Sequence, residues 1–147
     1  MVINMIIQLL TISILIITGY TDIKYKRISN KVLFLFGTAA IVLFIGRCYF
    51  REMEMIKEML WGLLPGISAL LIGKITKENI GFGDGYLLLI LGVLLGAKRI
   101  IGIFMIALFL MSILSILLLM IRRVNKQTEL PFIPAILIAY VVQLIAG

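Results

Sequence analysis

Gly81-Phe82-Gly83-Asp84-Gly85-Tyr86, followed at once by Leu87-Leu88-Leu89-Ile90-Leu91, sets one acid at the doorway of an apolar helix. Gly81 and Gly83 carry no Cβ, so the backbone just before Asp84 can bend sharply and another chain can approach it closely. Asp84 stands where a helix starts, and the unpaired N–H groups and positive dipole end found there favour a carboxylate. Alone, the arrangement reads equally well as an N-cap in a tight turn. A chemical reading needs a second acid at the same depth. Asp22 is the candidate, because Glu52, Glu54, Glu58, Glu78 and Glu129 fall in charged stretches between apolar runs.

The rest of the chain fixes what kind of helix this is. Of 147 residues, 63% are hydrophobic and only 14% charged, far more apolar than one soluble core of this size can hide. The expectation is an all-α, polytopic integral membrane protein, with 1–147 forming a single membrane-embedded domain and no soluble domain. The net charge of +7 does not point to nucleic acid, because the Lys and Arg residues sit at the ends of apolar runs, where they face lipid headgroups and set orientation. A single cysteine, Cys48, permits no internal disulfide and no Cys-rich zinc site, and the chain has no histidine. Neither metal nor cofactor is expected, and nucleophilic catalysis of the Ser-His or Cys-His kind has no base available.

About six spans of roughly 20 residues or somewhat fewer can be marked out. Val2 to Tyr20 reads as a first spanning helix and not as a signal peptide, since no cation precedes it and Gly19-Tyr20-Thr21 is no cleavage site. Thr21 to Lys31 is a polar loop with four cations around Asp22. Val32 to Ile45 forms a second span, and Arg51 to Glu58 an outer loop of mixed charge. Met59 to Ile75 is a third span, with Pro65 inside it and a Gly62 to Gly66 spacing suited to close helix packing. Tyr86 to Gly96 is a fourth, thinned on one side by Gly85, Gly92 and Gly96. Lys98 and Arg99 make a short turn before Ile100 to Ile121, and Leu130-Pro131-Phe132-Ile133-Pro134 opens a last span to Gly147, where proline near a helix start is tolerated. Alternating the loops puts Lys24, Lys26, Arg27, Lys31, Lys74, Lys77, Arg122, Arg123 and Lys126 on one side and Arg47, Arg51, Lys57, Lys98 and Arg99 on the other, nine against five. By the positive-inside rule the first group is cytoplasmic and the N-terminus outside, although Lys98 and Arg99 weigh against this. Asp22 and Asp84 then lie at cytoplasmic ends of spans.

Two carboxylates at one depth on adjacent helices can share a proton, because two like charges a few Å apart do not both ionise cheaply. One then takes a proton from water while the other, protonated, donates to a scissile carbonyl, with no metal required. Ionisable residues in spans are costly enough to be read as functional.

Three blocks in order carry a family resemblance: Asp22 to Asn30, with Asn eight positions after Asp; Lys77-Glu78-Asn79-Ile80-Gly81-Phe82-Gly83-Asp84, followed by Leu87-Leu88 and Leu91-Gly92; and Leu130-Pro131-Phe132-Ile133-Pro134-Ala135. Together they resemble the type IV prepilin peptidases. The resemblance implies a six-helix aspartic endopeptidase of the plasma membrane that removes short basic leaders from prepilin or pseudopilin precursors at the cytoplasmic face, with Asp22 and Asp84 as its catalytic pair. Gly81, Gly83 and Asn30 fall on motif positions, and Glu78 and Glu129 are candidates to contact the leader's cations. Departures are Ile28-Ser29-Asn30 in place of the usual Ile-Pro-Asn, and Tyr86 where Lys is common. The bifunctional members' paired Cys-x-x-Cys region has no counterpart, which implies the short, peptidase-only form.

Rival readings remain. Asp22 can be a juxtamembrane acid neutralised by Lys24, Lys26 or Arg27. Gly81-x-Gly83 is not a dinucleotide turn, since residue 86 is Tyr and no βαβ unit surrounds it. Trp61 reads as an interfacial anchor, and Met53, Met55 and Met59 as packing residues. As whole-chain alternatives, a proton-coupled carrier would need more polar residues deep in its spans, and a non-catalytic pilus or secretion assembly subunit would have no need of both acids.

Overall fold

The computed structural model describes residues 2–25, 28–49, 53–75, 82–121 and 131–146. They form seven helices: α1 (Val2–Tyr25), α2 (Asn30–Tyr49), α3 (Met53–Gly62), α4 (Leu64–Ile75), α5 (Phe82–Leu95), α6 (Ala97–Met120) and α7 (Ile133–Ala146), with no strand among the described residues. The sequence-based expectation of an all-α membrane protein with about six spans agrees with this. Met5–Tyr25, Met53–Ile75 and Ala97–Met120 are long and apolar enough to cross a membrane, and Asn30–Gly46, Phe82–Leu95 and Ile133–Ala146 are shorter apolar helices.

The seventh helix arises because the third span is broken. Pro65 has no N–H to offer and its ring disfavours a continuous helix. The chain closes α3 with Leu63 N–H donating to the Leu60 carbonyl at 3.2 Å and restarts α4 with Ile67 N–H donating to the Leu63 carbonyl at 2.9 Å. The helix also begins at Met53, where a mixed-charge outer loop to Glu58 was expected. Lys57 pairs with Glu54 one turn earlier at 3.2 Å, so that charge mixture supports a helical turn.

α5 is the central element, packed against α1, α2, α3, α4 and α6, and its Leu87, Leu88 and Leu91 are fully buried. Its seam with the third span follows the expected small-residue spacing. A Cβ on Gly92 would run into the Gly62 carbonyl, and one on Gly66 would meet the Leu89 backbone nitrogen at 2.7 Å. In a bilayer, where lipid is as apolar as leucine, such close backbone approach is a main source of helix association. Gly96 also faces the third span, against Glu58 of α3, but, contrary to expectation, it is not helical. With φ of 78° it is the turn itself, and α6 already begins at Ala97. Lys98 therefore lies in the first turn of α6, where it pairs with Glu58 of α3 at 2.9 Å. α7 packs on α6 and α1 and buries Ile133, Ile136, Ala139 and Tyr140.

Candidate active site

Both aspartates lie on helices, neither in a loop. α1 continues past Tyr20 to Tyr25, so Asp22 is on its last turns and only 8% exposed. This corrects the expected loop start at Thr21. The Thr18 hydroxyl donates to the Ile14 carbonyl, and the Thr21 hydroxyl to the Thr18 carbonyl at 2.9 Å, so these side chains are satisfied within the helix and do not interrupt it. Asp84 is the third residue of α5, inside its first turn and not at the N-cap position.

Asp22 reaches across to α7. Its Oδ2 accepts a hydrogen bond from Ile133 N–H at 3.2 Å, and the Phe132 N–H is also bonded to the carboxylate. The reason lies in the start of α7. The Phe132 carbonyl accepts the first helical bonds, from Ala135 and Ile136, which makes Phe132 the N-cap, yet its side chain has no acceptor. Asp22 supplies the missing acceptor from another helix, 111 residues away. Gly19, one turn before Asp22, lets Ile133 pack against α1.

Asp84 is set between two close approaches. A Cβ on Gly83 would meet Ile28 Cδ1 at 2.9 Å, and one on Gly85 would meet the side chain of Leu70 on α4. Gly83 is helical, and among the described glycines only Gly96 has positive φ, so the expected need for φ > 0 gives way to close approach. The neighbour at Gly83 is Ile28, from the tract between Asp22 and Asn30. The two aspartates are near enough for the charge on one to be felt by the other. Asp22, Asp84, Ile28 and the start of α7 thus gather at one end of the bundle.

Lys24 does not neutralise Asp22 here. Its ammonium bonds the Tyr20 hydroxyl at 3.4 Å and lies 5.6 and 5.2 Å from the ring centres of Tyr20 and Tyr25. The two ion pairs among the described residues are Glu54 with Lys57 and Glu58 with Lys98, and neither involves the aspartates. No group of three or more His, Cys, Asp or Glu residues forms among the described residues, so no metal cluster is built there. Asn30 is the exposed first residue of α2 and, with Tyr86, is among the residues lining an apolar groove. Gly81, Glu78 and Glu129, along with Lys26 and Arg27, lie outside the described residues. Sequence reasoning missed Ile28 as a packing partner and the α7 backbone as the partner of Asp22. The Pro131-Phe132-Ile133-Pro134 block was the available signal, but nothing local links it to Asp22.

Residues 9–120 match the type IV leader peptidase family. The chain is also 30% identical over 129 residues to the prepilin leader peptidase/N-methyltransferase of Bacillus subtilis (strain 168), an alignment covering 85% of this chain and 49% of that protein. It therefore spans about half the length of the curated relative it matches. No solved structure matches it significantly. A family match that takes in both aspartates and all but the last helix is decisive: this chain belongs to the type IV leader peptidase family.

Proposed function

We propose that the chain is a membrane aspartic endopeptidase that removes the leader from prepilin-like or pseudopilin-like precursors at the cytoplasmic face of the plasma membrane. The observation that carries the reading is the meeting of Asp22 and Asp84 at one end of the bundle, within electrostatic reach of each other. One carboxylate accepts a proton from water as the water oxygen attacks the scissile carbonyl, and the other, protonated, donates to the carbonyl oxygen. Collapse of the tetrahedral intermediate breaks the C–N bond: the proton taken from water passes to the leaving amine, and a hydroxyl of the gem-diol returns its proton to the carboxylate that had acted as acid, leaving a carboxyl product. The pair returns to its starting state with one proton between two oxygens, and its titration belongs to both groups together. The positive-inside distribution of Lys and Arg supports the cytoplasmic orientation. For the 147 residues given, the absence of any Cys-x-x-Cys pair supports peptidase activity without methyl transfer, so mature pilin made by this chain alone should show no added methyl mass.

One observation favours a second reading, in which Asp22 serves only to cap α7. The purified Asp22→Asn and Asp84→Asn chains, mixed with a prepilin, separate the two. Asn keeps a side-chain oxygen that accepts from Ile133 N–H and is as good a cap as Asp. The fold should survive in both variants, while cleavage drops by a factor of about 100 to 10,000 because the proton roles are lost. Substantial cleavage by either variant overturns the catalytic pair.

A further inference from the structure

The start of α7 leaves two backbone donors unused by its own helix, and both go to Asp22. Pro131 and Pro134 have no N–H, and Ala135 N–H is already bonded to the Phe132 carbonyl. The N–H groups of Phe132 and of the fully buried Ile133 remain, and both bond the Asp22 carboxylate. They are two hydrogen-bond donors at the positive end of a helix dipole, and each property favours the ionised carboxylate over the neutral acid. An ionised carboxylate offers about four lone-pair sites, so two bonds to α7 leave others free to take a proton from water.

Asp84 has a different setting. It too lies in the first turn of a helix, but among the described residues no donor bonds its carboxylate, and the glycines on either side of it face the apolar side chains of Ile28 and Leu70. With a charged Asp22 within electrostatic reach, the cheaper place for one shared proton is Asp84. The other titratable groups do not reverse this. Near Asp22, α1 itself carries Tyr20, Lys24 and Tyr25, the first turn of α2 carries Lys31, α5 carries Tyr86 beside Asp84, and α7 has no titratable side chain before Tyr140. Lys24 is held by Tyr20 and Tyr25, and among the described residues no cation forms an ion pair with either aspartate.

We infer that α7 divides the labour of the pair: the Phe132 and Ile133 N–H groups hold Asp22 as the ionised base that takes the proton from water, and Asp84 carries the proton given to the scissile carbonyl. The inference rests on the peptidase reading above. Phe132 and Ile133 are then positioning residues that act through the backbone and not through their side chains.

The sequence supplies its own probe, because Asp22 and Asp84 are its only aspartates. Cell-free synthesis with aspartate isotopically labelled at the side-chain carboxyl carbon marks these two alone, and the Asp22→Asn and Asp84→Asn chains assign the two signals. In a pH titration followed by carbon NMR, the Asp22 signal should move in the first ionisation step and the Asp84 signal in the second. A second arm removes the donor. Ile133 is replaced by its α-hydroxy acid, which turns the peptide bond before it into an ester with no N–H. In the pH profile of precursor cleavage the acidic limb should then move up by about one pH unit while the alkaline limb stays in place, because Asp22 is ionised on both sides of the second step. The same replacement at Ile138, 53% exposed on α7, takes away an N–H inside the helix and should move neither limb. If the Ile133 ester fails to fold, the carbon titration decides. Asp84 ionising first, equal movement of both signals in each step, or a shift confined to the alkaline limb, while the wild-type chain cleaves the precursor, overturns this division and leaves the peptidase reading standing. A wild-type chain that cleaves no precursor overturns both.

Discussion

α5 has two unlike flanks. Toward the third span it is sealed: Gly92 meets Gly62 backbone to backbone, and Gly66 lets the Leu89 backbone close in. Toward α2 the two helices touch through Gly37 and Ile90, and beside that contact the groove stays open under Phe34, Ile41 and Tyr86. Both flanks are apolar, so hydrophobicity does not distinguish them. What differs is where the small residues meet. Glycine facing glycine lets two backbones close on each other, while Gly37 facing the Ile90 side chain holds α2 at side-chain distance and leaves an apolar groove beside the contact.

The contrast can be broken most severely at Gly92. Gly92→Leu puts a side chain into the Gly62 carbonyl, where only backbone displacement relieves the clash, and should cost about 3 kcal/mol or more, read as a large fall in melting temperature in detergent or a failure to accumulate in the membrane. Gly66→Ala, which meets the Leu89 nitrogen and side chain, should cost about 1–3 kcal/mol in the same measurement. Gly83→Ala is milder in stability, because the nearest atom is the tip of the Ile28 side chain. Precursor cleavage should nonetheless fall severalfold as Asp84 is pushed aside, and Ile28→Ala in the same chain should restore part of it. On the open flank, Ile41→Ala should leave the melting temperature within the range of about 0.5 kcal/mol usual for surface changes. Lys98→Ala, at the far end of the bundle, should leave both melting and cleavage unchanged despite losing the Glu58 pair, since that lysine side chain is 86% exposed. Equal sensitivity of the two flanks in the melting measurement would erase the distinction.

Much of this was legible from residue order. The apolar runs marked the spans, the Gly62 to Gly66 spacing marked the tight seam, and the positions of Asp22 and Asp84 at the ends of their runs placed them at one end of the bundle. Helix ends were less legible. Thr21-Asp22-Ile23 reads as polar loop, but the threonine hydroxyls fold back onto helix carbonyls and Asp22 finds its partner on α7, so the helix runs on. Charge near Met53 looked like loop for the same reason, until Glu54 and Lys57 are seen one turn apart. The bond from Ile133 to Asp22 had no signature at all, because a backbone N–H is present at almost every residue and only the tertiary fold says which one is left over.

That bond also bears on the timing of synthesis. Ile133 follows Asp22 by 111 residues, so during translation the carboxylate on α1 is in place long before the donor that orients it. Until α7 has entered the membrane and docked on α1, Asp22 lacks its anchor, and a chain stalled between Asp84 and Phe132 carries both acids with Asp22 unanchored. On the reading proposed above, the pair is complete only once α7 has docked, which spares nearby membrane proteins from a half-built site.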